Sequence, residues 1–89
     1  MRGIITVIGK DKIGILAQIS GICAEYGVNV VEVTQSILQN MFCMIMLIEI
    51  EKANIPFTEF AEKAKKIGEE QSLVVHVMHE DVFNSMHRI

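Results

Sequence analysis

Residues 41–50 read MFCMIMLIEI, apolar at every position but Glu49. Ten residues are too few to span a bilayer as a helix, which takes roughly 20. They are the right length and composition for a buried strand. Side chains alternate across a strand, so Met41, Cys43, Ile45 and Leu47 face one way and Phe42, Met44, Met46, Ile48 and Ile50 the other. Both faces of any sheet built on this strand therefore need a cover. The chain has 89 residues, one small domain, yet 51% of them are hydrophobic. That is more apolar material than one small core hides. The expectation is a homodimer or higher homo-oligomer, since a large exposed apolar face marks an interface.

The remaining periodicities build around this strand. Residues 3–8, GIITVI, read as a first buried strand. After the stretch GKDKIG, Ile15, Ile19, Ile22 and Tyr26 recur at helical spacing, with Leu16 and Cys23 widening the stripe. Gly27 suits the helix stop, and Gly21 inside the helix suggests close packing there. Residues 28–38 are β-branched and read as a second strand, Gln39-Asn40 as a tight turn, and residues 41–51 as its hairpin partner. A second helix follows, with Pro56 in its first turn or Thr58 as a later cap. Its buried stripe is Phe57, Phe60, Ala61, Ala64 and Ile67. Residues 73–79 read as a fourth strand. Val82, Met86 and Ile89 share one face of a short last helix, with Phe83 beside them and Asp81 at its start.

The order β-α-β-β-α-β is the split βαβ pattern. The expected fold is α+β and ferredoxin-like: a four-stranded antiparallel sheet with two helices on one face, plus the short C-terminal helix.

Composition excludes several functions. Net charge is −3 with two arginines, Arg2 and Arg88, so there is no basic stripe for direct nucleic-acid binding. The lysines of residues 62–70 mix with glutamates as a solvated helical face. No segment is a membrane span or a secretory signal. Cys23 and Cys43 are twenty apart, without metal or redox spacing, and read as buried thiols in a reducing, cytoplasmic compartment. His76 and His79, three apart on a strand, face opposite ways and are poor co-ligands. No catalytic constellation, metal site or cofactor is implied.

Two glycines, Gly9 and Gly14, bound the loop before the first helix. GKDKIG fits the outer spacing of a phosphate loop, but Ile15 and Leu16 stand where Lys and Ser or Thr are needed. The free N–H groups near residues 13–16 still favour an anion. Asp11 serves either as a helix cap or as a partner for an ammonium group. Asn29 is a polar turn residue, or it meets this loop across a dimer interface, because the two lie at opposite ends of the connecting helix.

The segment GKDKIGILAQISGICAEYGVNV resembles the signature of the ACT domain family. It carries the loop D-x-x-G-[IV]-L at Asp11, Gly14, Ile15 and Leu16, then G-[VI]-N-[VI] at Gly27, Val28, Asn29 and Val30. The resemblance covers residues 3–79. The domain is taken as residues 1–79, with 80–89 as a helical extension that looks like that of small stand-alone ACT proteins similar to the glycine cleavage regulator. The resemblance implies a non-enzymatic regulatory module binding an amino acid between the loop of one subunit and the second strand of another. Carried over, Asp11, Ile13, Gly14, Ile15 and Asn29 line that site, the two isoleucines through their backbone N–H groups. Gly9 stands where some binders carry a polar side chain, Ile13 replaces a common proline, and Asp11 replaces an amide, favouring a cationic group. The alternative is a ligand-free dimerisation module that regulates a metabolic or transcriptional partner.

Overall fold

A computed structural model of the chain describes residues 2–10 and 14–86. Its elements are β1 (Arg2–Lys10), α1 (Ile15–Glu25), β2 (Asn29–Leu38), β3 (Met41–Glu49), α2 (Phe57–Glu70), β4 (Val74–His79) and α3 (Glu80–Met86). The strands form one antiparallel sheet in the order β2-β3-β1-β4. This is the expected ferredoxin-like arrangement. β2 and β4 are its edges.

The hairpin sets the register. Gln39 and Asn40 both have positive φ, 48° and 69°, the two-residue turn whose twist matches paired strands. It aligns Leu38 with Met41 and Asn29 with Glu49, with one irregularity between Val30 and Glu32. β3 then pairs along its whole length with β1, from Arg2↔Glu49 to Lys10↔Met41.

One face of the sheet carries the core. Ile5 and Val7 of β1 and Met44, Met46 and Ile48 of β3 pack with Ile15, Ile19, Ile22 and Cys23 of α1 and with Phe60 and Ala64 of α2. The first helix buries a narrower stripe than its sequence suggests: Leu16 is 38% exposed and Tyr26 is the half-buried C-cap residue. Gly21 has open space around it, so close packing is not the reason for glycine there. Pro56 occupies the N-cap position in extended geometry and the helix starts at Phe57, so Thr58 does not cap it. β3 stops at Glu49, and Glu51 lies in the turn that follows.

Among the described residues, the other face is covered at one end, by α3. His79 stands just before this helix, and the Asp81 N–H donates to its Nδ1 at 3.3 Å. Arg2 ties the helix start to the sheet, 3.9 Å from Glu80 and 3.7 Å from Glu49. Phe83, half-buried, borders the clefts between α3 and the open face. Val82 is 50% exposed, so the packing face of α3 is that of Phe83 rather than of Val82; residue 89 lies outside the described residues. Cys43, expected to be buried, is half-buried on this open face, whereas Cys23 is buried in the core.

Candidate functional site

The loop between β1 and α1 divides into two unlike parts. Gly9 belongs to β1, where a Cβ would run into Leu73 Cδ2, so this glycine seats a core leucine. Gly14 is the N-cap residue of α1, with φ 83° and no side-chain cap. A Cβ there would meet nothing within 4 Å. Glycine is required by the left-handed backbone, and the space in front of the turn is open. The Gly14 carbonyl accepts the first helical hydrogen bond, from the Gln18 N–H at 3.0 Å. Ile15 turns its side chain into the core, 2% exposed, so only its backbone can serve a ligand. Asp11 and Ile13 lie outside the described residues.

Asn29 opens β2 at the opposite end of the sheet. It sits in a cleft of about 370 Å³ with Gly27, Glu49, Glu51 and Lys52. Backbone geometry builds this cleft. Gly27, φ 71°, reverses the chain after α1, and a Cβ on it would come 2.7 Å from the Lys52 carbonyl. The Asn54 N–H donates to the Tyr26 carbonyl at 2.9 Å and its side-chain amide to the Glu25 carbonyl at 3.3 Å, which holds the β3–α2 turn against the end of α1. Carboxylates, an ammonium group and an amide thus converge at one end of the sheet. Glu49 and Lys52 were not singled out as site residues from the sequence. The legible signal was a charged Glu-Ile-Glu-Lys stretch closing an apolar run.

Gly14 and Asn29 are not brought together within one chain. Asn29 is level with Glu49 and Arg2, while Lys10, which leads into the Gly14 turn, is level with Met41 and Leu38. Eight residue steps of β1 separate these levels, about 26 Å at a strand's usual rise. The unpaired edge of β2 runs between the two ends. His76 pairs opposite Thr6 and His79 opposite Gly3, on opposite faces of β4. Among the described residues no three His, Cys, Asp or Glu side chains gather as metal ligands, and no helix is long and apolar enough to cross a membrane.

The family model for the ACT domain matches residues 3–78. A UPF0237 protein of Methanocaldococcus jannaschii is 43% identical over 99% of this chain and 98% of its own length. A solved ACT domain protein from Streptococcus pneumoniae superposes with a TM-score of 0.81 at 31% identity, covering 93% of each chain. A crystal structure described as that of a "putative glycine cleavage system transcriptional repressor" shares the fold, with a TM-score of 0.69 at 20% identity over 85% of this chain and 43% of that one. Matching in sequence signature, strand order and full-length relatives, the chain belongs to the ACT domain family.

Proposed function

We propose that this protein is a non-enzymatic, cytoplasmic regulatory module that binds an amino acid as a homodimer. One ligand sits between the Gly14 turn of one subunit and the Asn29 cleft of the other. The observation that carries this reading is the open edge of β2, which runs from the Asn29 cleft to the end of the sheet where Gly14 stands. Pairing β2 antiparallel with its own copy places Asn29 of one chain beside the Gly14 turn of the other. Leu16, Val31 and Ile37, exposed along α1 and β2 at 38%, 43% and 71%, supply apolar area for that contact. Asp11 and the backbone near Ile13 and Ile15 complete the loop half of the site. The ligand carboxylate meets free N–H groups at the start of α1, and Asn29 fixes its orientation by hydrogen bonding. Two such sites per dimer let the ligand favour one dimer arrangement by its differential affinity.

A thermal-shift screen against the twenty amino acids tests this, because binding to the folded state raises the melting temperature. The expected result is a shift by one or a few amino acids. In Asn29→Ala the affinity falls about fivefold or more, the cost of one hydrogen bond of ~1 kcal/mol. Wild-type affinity in that variant would remove Asn29 from the site. No shift by any amino acid at millimolar concentration would favour the ligand-free dimerisation module.

A further inference from the structure

We propose that two clefts meeting at Phe83 on the open sheet face form one groove for a small amphipathic amine, a molecule with a flat apolar body and a single protonated nitrogen. The groove is separate from the Asn29 cleft and does not rest on the amino-acid reading.

The sheet builds the groove from residues that stand level. On the open face Thr6 lies level with Ile45 and His76, and Ile8 with Cys43 and Val74. Under α3, Ile4 is 6% exposed; four residues further along the same face of β1, Ile8 is 38% exposed, so the helix leaves this stretch bare. Here Phe83, Thr6, Ile8, Cys43, Ile45 and His76 border a cleft of about 390 Å³, and among the described residues no carboxylate, lysine or arginine lines it. On the other side of Phe83, a second cleft of about 230 Å³ shares Ile45 and adds Glu32, Glu80 and Asn84. An apolar floor thus runs into an acidic end.

Size and charge select the occupant. Four strands ~4.8 Å apart, with β1 nine residues long at ~3.3 Å each, make a face of roughly 600 Å². Part of it is taken by α3, and what is left falls below the ~800 Å² per partner of a standard protein interface. The apolar cleft, at about 390 Å³, lies within the ~300–1,000 Å³ of small-molecule pockets, which are mostly apolar with a few placed polar groups. Charge then sets the sign. At the α3 end stand Glu32, Glu49 and Glu80. Arg2 serves two of them, 3.7 Å from Glu49 and 3.9 Å from Glu80, and Lys52 shares the Asn29 cleft with Glu49. Among the described residues Glu32 has no basic partner. Thr34 lies level with Ile45 and Glu32 with Leu47. Glu32 is therefore the diagonal neighbour of Ile45, ~7–8 Å away, the reach of a short aminoalkyl arm. A cation on that arm is attracted to Glu32, and a carboxylate there is repelled.

Tryptamine tests the proposal, with indole-3-propionate as its anionic counterpart, near pH 8 where imidazoles are neutral. The chain holds no tryptophan, so indole fluorescence polarisation reports the probe alone. Tryptamine is expected to bind at least about tenfold tighter than indole-3-propionate, and Glu32→Gln to narrow that preference by about threefold, the weight of one exposed charge pair. Glu69→Gln, on α2, is expected to leave it unchanged. Location is read from Cys43, half-buried in the apolar cleft, because Cys23 is shut in the core. Tryptamine at about four times its Kd should slow iodoacetamide labelling of Cys43 about fivefold, the free fraction left by mass action. Glu32 lies exposed on an edge strand; if its variant does not fold, the two indoles and the labelling of the unaltered chain carry the test. Absence of tryptamine binding, equal binding of the two indoles, an unchanged preference in folded Glu32→Gln, or unslowed labelling overturns the proposal. So does labelling of Cys43 that is slow without probe and quickens on dilution, which would mean that a second copy occupies the face.

Discussion

Single residues in this protein divide by whether backbone or packing selects them, and glycines make the division measurable. Gly21 lies inside α1 with nothing near its missing side chain. Gly21→Ala is therefore expected to stabilise the protein by about 0.5–1 kcal/mol, the helix penalty of glycine. Gly27 combines φ 71° with the Lys52 carbonyl 2.7 Å from any Cβ. Gly27→Ala is expected to cost ~2 kcal/mol or more, a left-handed penalty of 1–2 kcal/mol plus a clash with backbone that has little room to yield. Urea denaturation of the two variants reads both signs. A destabilised Gly21→Ala would mean that α1 is covered by another chain at that point. From the sequence Gly21 and Gly27 are the same letter; the space around them is a tertiary property.

At the scale of elements, α3 tests which face packs. Val82, Met86 and Ile89 were expected to share one face by spacing, yet Val82 is half exposed and Phe83 borders the sheet. The spacing of a seven-residue helix does not select between neighbouring faces, because its direction is set by how it leaves β4. Here His79 and the Arg2–Glu80 contact fix that exit. Phe83→Ala is expected to lower stability by about 1–2 kcal/mol, a fraction of the loss for a fully buried phenylalanine, while Val82→Ala changes it by less than ~0.5 kcal/mol. Equal losses in urea melts would return the packing face to Val82. The longer elements were legible: α1, α2 and the 29–49 hairpin follow from periodicities sustained over ten or more residues and from a two-residue turn. Their ends were less so, since Glu51 and Pro56 lie where backbone contacts with other segments decide the boundary.

For the whole molecule, folding alters the chemistry of one buried thiol. Burial in the α1–sheet core pushes Cys23 from the ordinary value of 9.0 up to about 11. Between those values the folded chain keeps a proton that the unfolded chain has lost. The contribution is fully present below the lower value and is lost as pH rises through the upper one. At ~1.4 kcal/mol per pH unit, stability is expected to fall by on the order of 2–3 kcal/mol across that window. Cys23→Ala should flatten this part of the pH profile relative to wild type, as measured by urea unfolding at pH 8.5 and 10.5. Identical slopes would mean that other groups, not this thiol, set the alkaline limit.

The sequence by itself determined the order and type of the elements, the antiparallel hairpin and the family signature from Asp11 to Val30, because periodicity, turn chemistry and glycine placement act locally. It also dictated that β3 is apolar on both faces. Only the tertiary structure decided how those faces are used: α1 and α2 cover one, α3 covers part of the other, and Glu49 and Lys52 join Asn29 in a cleft. Those placements depend on strand register and on contacts between segments far apart in the chain, where no local pattern fixes which of several chemically similar surfaces meet.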